Sequence, residues 1–524
     1  LRRYAPPTGA QTRTTPVNGV PIPIGVFTVV SPSYSNTYNW LVSSDYTISN
    51  RDQLRVRYLS NENQGLDTGA SLPQFFTPQP VLSKMASLAE FHNFAPNVTN
   101  ELRLAWNRNT NTRVMPDVSW PGLDVFPNVG IRNDLNLNIG PNTNSPGAVV
   151  QNTYQLVNNL SWNKGRHDLK FGMDFRSQIF ASTYVPRARG DYQWTTLERY
   201  LNDTIPDFIA QRNVGGKVYS GNVAAYYGFV NDNIRVRQNL TVNLGVRYER
   251  NGVAKSMQEF ALNKIADVPG VLTFGAPVAT NLNFAPRAGF AWSPGRSART
   301  SVRGGFGITY DQWFDNIGTQ ARPPQANSNV DLTGNPGTGF LGNGGIPASA
   351  RAADLTPAQA RAATSYLLDP VQKLPYAITM NVGVQRSFWN DYTLDIRYVG
   401  TKGVHLLMQG QLNRNSLVTP EFNLPTYLQA PTQATLDGLR INTATFTQLR
   451  QTAAWNPLLP YGFTTAIITY QARGNSRYHG MAVDLKKRYG KNLMFIAGYT
   501  LSRNIDDSTA ELNSVVATPR RPQD

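Results

Sequence analysis

The chain has 524 residues and a net charge of +16, from 49 Lys and Arg against 33 Asp and Glu. Charged residues make up only 16%, hydrophobic residues 40% and aromatic residues 11%, and cysteine is absent. That excludes a disulfide scaffold, a Cys-ligated zinc site and a thiol nucleophile, and without an 18-residue apolar run no transmembrane helix is supported.

In chain order, the first segment "LRRYAPPTGAQ" carries neither a starting Met nor a signal peptide, and the last, "TPRRPQD", follows a Pro- and Arg-rich stretch. Both ends read as cuts in a longer protein. Between them, amphipathic segments of period two come in pairs, which is the pattern of β-hairpins. "YNWLVSSDYTIS" and "DQLRVRYLS" flank "NR"; Leu54, Val56 and Tyr58 alternate there with Arg55 and Arg57. "MASLAEFHNF" and "VTNELRLAWNR" flank "APN", and "NTYQLVNNLSWN" and "HDLKFGMDFRS" flank "KGR". "AAYYGFVNDNIRV" leads through "RQN" into "NLTVNLGVRYER". "FAPRAGFAWS" and "TSVRGGFGITYDQ", "YAITMNVGVQRSF" and "YTLDIRYVG", then "YHGMAVDLKKRY" and "LMFIAGYTLSR" complete seven hairpins, or about fourteen strands.

Turns within the pairs are short and built from Gly, Asn, Asp, Pro and Lys. Connections between pairs are long, as at 61–83, 109–150, 251–282, 312–374 and 402–475. Short turns at one end and long loops at the other are the asymmetry of an outer-membrane barrel. Two loop segments carry helix signals: "TPAQARAATSYLL", with Thr356 as cap and Pro357 at the first helical position, and "TTLERYLNDTIPDFIAQ" before Pro206. Aromatic residues gather at strand ends, among them Trp40, Trp106, Trp162, Tyr248, Trp292, Tyr310, Trp313, Trp389, Tyr398 and Tyr499, as interfacial girdles require.

The fold class expected is therefore all-β, an antiparallel up-and-down transmembrane β-barrel with the apolar row of each strand toward lipid. Arg55, Arg57, Lys170, Arg176, Arg247, Arg303 and Arg397 lie out of phase with the apolar residues. Facing lipid at the midplane each would cost about 2–4 kcal/mol. They are therefore expected to face a hydrated lumen, paired with Asp168, Asp174, Glu249 and Asp395 of neighbouring strands, and are the candidate ligand contacts. Because the basic residues are scattered singly, no nucleic-acid site is expected.

The ordered hairpin phrases, such as "NTYQLVNNLSWNKGRHDLKFGMDFR", "GFVNDNIRVRQNLTVNLGVRYE" and "YHGMAVDLKKRYGKNLMFIAGYTLSRNIDDS", resemble the barrel of TonB-dependent outer-membrane receptors, in particular the Oar-like branch. The resemblance covers roughly residues 39–510. It implies a 22-stranded barrel with an N-terminal plug inside it, preceded in that branch by a β-sandwich. It also implies coupling to the TonB complex through the plug. Residues 1–524 then form a partial barrel domain in which about fourteen strands are visible, without plug, N-terminal sandwich or last strands. Location in the outer membrane, contact with its lipid and uptake of a scarce ligand (siderophore, cobalamin or carbohydrate) follow.

No enzymatic chemistry is expected. No nucleophile–base pair is evident, and His92, His167, His405 and His479 show no metal-ligand spacing, so neither a metal nor a cofactor is assigned. "RGGFG" lies inside an alternating strand, which does not suit a phosphate loop. Asp506 and Asp507 read as a solvated turn, since calcium requires many more ligands. Two other function classes remain open. One is a surface or adhesion protein anchored by the same barrel; the other is a soluble basic β-protein that binds nucleic acid or polysaccharide.

Overall fold

The computed structural model describes residues 6–507 except 7, 217, 261–263, 296, 298, 314, 321–326, 349–354, 369, 390, 413–429, 431, 439–456, 465–466 and 491. Fourteen long strands form one antiparallel meander: β1 (Ser35–Thr47), β2 (Asp52–Asp67), β3 (Thr77–Ala95), β4 (Val98–Arg113), β5 (Gly147–Lys164), β6 (His167–Ser182), β7 (Val223–Arg237), β8 (Leu240–Asn251), β9 (Phe284–Trp292), β10 (Thr300–Tyr310), β11 (Tyr376–Phe388), β12 (Tyr392–Leu412), β13 (Ile467–Gly490) and β14 (Leu493–Asp506). Each pairs with the strand before and after it in sequence, and the seven short turns fall where the alternating patterns pair. Among the described residues β1 and β14 do not pair with each other, so the sheet is not closed.

The register explains which face is apolar. One cross-strand row runs Val56, Leu88, Leu104, Leu156, Phe175, Tyr226 from β2 to β7. All six are exposed. Six exposed apolar side chains in one row would be untenable in water, and they are what a lipid-facing belt needs. The neighbouring row on the opposite face runs Arg57, Ser87, Ala105, Gln155, Arg176, Ala225, Asn251.

Strands run from 9 residues in β9 to 24 in β13. Many exceed the 9–11 or so that cross a bilayer, so β3, β4, β5, β12 and β13 extend past it on the long-loop side. Trp106 and Tyr154, register partners in β4 and β5, therefore lie well inside their strands. At the short-turn end Trp162 sits under Lys164, 4.9 Å from ring centroid to Nζ. The β13–β14 turn is held by Lys487, whose Nζ donates to the carbonyls of Gly490 (2.8 Å) and Leu493 (3.0 Å) and pairs with Asp391 (3.1 Å).

Glycines permit close packing at two cross-strand pairs. Gly172 faces Phe229, and Gly304 faces Phe290. A Cβ on Gly304 would lie 2.5 Å from the Phe290 ring, so the first glycine of "RGGFG" serves ring packing between strands.

The long loops are not structureless. Segments 128–131, 137–139, 191–194, 209–215 and 327–331 form a five-stranded sheet of their own. Its core contains Phe75, Phe126, Val129, Tyr192, Trp194, Phe340 and Ile346 from four different loops. An N-terminal hairpin, 11–17 with 20–25, packs Val17 against Ile131 and Leu197. Both helix signals are realised. Leu197–Leu201 is capped by Thr196, and Pro357–Ala363 begins with a capping box between Thr356 and Gln359.

Candidate functional site

The register places Arg55, Arg57, Lys170, Arg176, Arg247, Arg303 and Arg397 all on the face opposite the apolar rows. They do not form one cluster. Arg55 pairs with its cross-strand partner Asp45 at 2.5 Å and lies over Phe91. Arg303 and Arg397 share a row across Gly383.

A charged ladder forms in β6–β8. Arg176 pairs with Asp174 (2.8 Å) and Arg247 with Glu249 (2.9 Å). Both guanidinium groups lie about 5 Å from the Tyr227 ring centroid. Gln155 donates to both oxygens of Asp174 at 3.0 Å, and Tyr227 Oη donates to Asn251 at 2.6 Å. Lys170, Arg247 and Arg287 line a recess of about 320 Å³ beside it.

The pairing differs from the sequence expectation. Arg176–Asp174 and Arg247–Glu249 join residues two apart on one strand, as does Arg397–Asp395 at 3.2 Å. Arg397 also reaches Asp484 across strands, while Asp168 accepts from Asn233 instead of a cation. Residues i and i+2 share a face, and their cross-strand partners are often Gly or Ala, so the long Arg side chain reaches along its own strand.

Above the ladder, where the loops begin, lies a cavity of about 650 Å³. Its walls come from the upper ends of β4 to β8 and from loop residues such as Trp313 and Gln372. Arg113, Gln151, Gln178, Asn251, Trp313 and Gln372 are among the lining residues. Trp313 belongs to no girdle. Its Nε1 donates to Lys373 O at 2.9 Å, which turns the ring toward the cavity. None of the seven candidates from the sequence lines this cavity; the polar residues at the upper strand ends do, and their only sequence signal was the polar phase continuing past the aromatic rows.

The loop body above is polar at its heart. Arg212 is 4% exposed. It donates to both carboxylate oxygens of Asp124 (2.9 and 2.8 Å), to Ile346 O (2.6 Å) and to Ala188 O (3.1 Å). Burial pushes the Asp124 carboxyl up, but the Arg212 hydrogen bonds and charge hold it below its usual range. Arg189 is 5% exposed, and its guanidinium has no hydrogen-bond partner among the described residues. Burial first, and Arg212 second, lower its pKa to about 10.

The histidines lie in different surroundings. His167 bonds Asp232 at 2.7 Å and His479 bonds Tyr398 at 2.7 Å. His92, however, meets Asp52 and Glu90, a group of three possible ligands that spacing along the chain did not reveal. Asp506 and Asp507 do not form the expected turn: Asp506 ends β14 as the register partner of Ser476, and Asp507 accepts from Asn475 N (2.8 Å) and Nδ2 (3.0 Å) of the neighbouring strand β13.

Residues 5–524 match the family described as "Outer membrane beta barrel domain". The chain belongs to that family. It is an outer-membrane β-barrel protein, and in such barrels the short turns are periplasmic and the long loops extracellular. Among solved structures it is similar to the outer membrane transporter YddB from Escherichia coli, with a TM-score of 0.52 and 11% identity over 90% of this chain and 49% of that one. It also matches the FrpB iron transporter from Neisseria meningitidis, with a TM-score of 0.47 and 11% identity over 92% and 53%. For the copper transporter OprC the TM-score is 0.45 and the identity 10%, over 94% and 55%. At 11% identity the likeness to YddB shows a shared fold alone, and the chain spans about half the length of the structures it matches. No curated protein matches significantly.

Proposed function

We propose that this outer-membrane barrel is part of a receptor for TonB-energised uptake of a scarce ligand, of siderophore, cobalamin or carbohydrate class, in the Oar-like branch of such receptors. Its plug, a preceding sandwich domain and further barrel strands would then belong to a longer polypeptide, with the TonB complex engaged through the plug. The observation that carries this reading is the 650 Å³ cavity at the outer mouth. It opens above a polar lumen and is lined by amide, guanidinium and indole groups. Such a mixture suits a bulky polar ligand, because aromatic faces supply area while fixed donors supply orientation.

The test is uptake of labelled ferric siderophores, cobalamin and oligosaccharides in strains lacking this gene, TonB, or both. One ligand should fall to the TonB-deficient level in each strain. Unchanged uptake of every ligand would overturn the proposal. The packed loop body favours one second reading, a surface or adhesion protein anchored by the barrel. It predicts normal uptake together with lost attachment.

A further inference from the structure

We propose that Asp52, Glu90 and His92 form a divalent-cation site on the outward face of the barrel, at its periplasmic end. Asp52 on β2 is the register partner of His92 on β3, and Glu90 is two residues along the same strand. The possible ligand atoms all lie within 4.8 Å of one another. His92 Nδ1 is 2.5 Å from Asp52 Oδ1 and 3.8 Å from Glu90 Oε1.

The setting argues for a cation. These residues share the phase of Val56 and Leu88, so they point toward lipid and headgroups. Glu90 has Leu54 and Leu102 as its two register partners. A carboxylate in such a place needs compensation. Lumen acids obtain it from arginine, as Asp174, Glu249 and Asp395 do. Among the described residues no Lys or Arg pairs with Asp52 or Glu90, and His92 is their one basic partner. Two carboxylates and one imidazole remain net negative even with the imidazole protonated.

The donors are also pre-oriented. Ser49 Oγ bonds the second oxygen of Asp52, and the Phe94 ring stands edge-on to His92 with centroids 4.3 Å apart. A tetrahedral zinc-class ion, with bonds of about 2.0–2.1 Å, needs ligand atoms roughly 3.4 Å apart. The separations of 2.5 and 3.8 Å bracket that value, so small side-chain rotations suffice. One imidazole with two carboxylates suits zinc and similar first-row ions better than magnesium or calcium.

The experiment uses tag-free full-length protein, extracted in detergent, stripped with chelator and titrated with Zn²⁺ against a chromogenic competitor. Wild type should bind one equivalent that Glu90→Gln and His92→Gln each weaken by about tenfold or more. Retained heat-modifiable migration shows that each variant is folded, and His167→Gln serves as the unaffected control. Absence of stoichiometric Zn²⁺ binding by wild type, or equal binding by the folded Glu90→Gln and His92→Gln variants, overturns the proposal.

Discussion

Arg189 and Arg212 occupy the same loop body in opposite circumstances. Arg212 makes four hydrogen bonds, two to the Asp124 carboxylate and one each to the Ile346 and Ala188 carbonyls. Removing it by Arg212→Met should destabilise the loop body by about 2 kcal/mol, the scale of charge-assisted hydrogen bonds. Increased amide hydrogen exchange across 188–215 would report the loss. Arg189 is buried without a hydrogen-bond partner among the described residues, and burying an uncompensated charge is unfavourable. Arg189→Met should therefore leave exchange in the same segment unchanged or slower; faster exchange would show that the charge is compensated. The Asp124 carboxyl, lowered in the folded state, adds a pH dependence of defined sign. Its contribution is present above the ordinary carboxylate pKa of about 4 and is lost as pH falls through the lower folded value. The loop body should accordingly loosen in acid below about pH 4, and Arg212→Met should flatten that profile. An unaltered profile in the variant would separate Asp124 from the acid response.

Each membrane strand has two faces, and a single step along it reverses the environment. Leu104 lies in the exposed apolar row of β4 and Ala105 in the lumen row beside Gln155. Leu104→Arg should cost about 2–4 kcal/mol in folding into bilayers, whereas Ala105→Arg should cost about 0–1. Equal losses in refolding titrations would refute the assignment of faces. Gly172→Val should also destabilise, by about 1–3 kcal/mol through overpacking, because its side chain would enter the Phe229 ring; Phe229→Ala should relieve it. All fourteen strands were legible in the sequence because period two and short turns are local signals. The small loop sheet was not, because it pairs short segments far apart in the chain, such as 128–131 with 191–194 and 209–215 with 327–331. The lumen phase of the seven cationic residues was legible for the same local reason. What each residue touches was not, since Arg176 and Arg247 chose partners on their own strands and Trp313 turned into the mouth cavity.

At the scale of the molecule, the sheet is unfinished at both edges: β1 and β14 each have a neighbour on one side only among the described residues. In water an edge strand is tolerable, but in hydrocarbon each unpaired backbone group costs several kcal/mol. A bilayer therefore requires that both edges gain partners. Three arrangements can supply them: direct pairing of β1 with β14, pairing with a second copy, or further strands of the same polypeptide between them. The proposed receptor, with its wide lumen, requires the third. Because residues 1–524 contain no cysteine, engineered cysteine pairs meet no competing thiol within this segment. Single cysteines placed along β1 from Asn36 to Tyr46 and along β14 from Met494 to Asn504 should form no disulfide with each other at any register in the full-length protein in its membrane. Efficient intramolecular bridging would mean a fourteen-stranded barrel closed by its own edges, with too little lumen for a plug, and intermolecular bridging would mean a barrel shared between copies. Either result would remove the architectural basis for plug-gated uptake, independently of which ligand is tested.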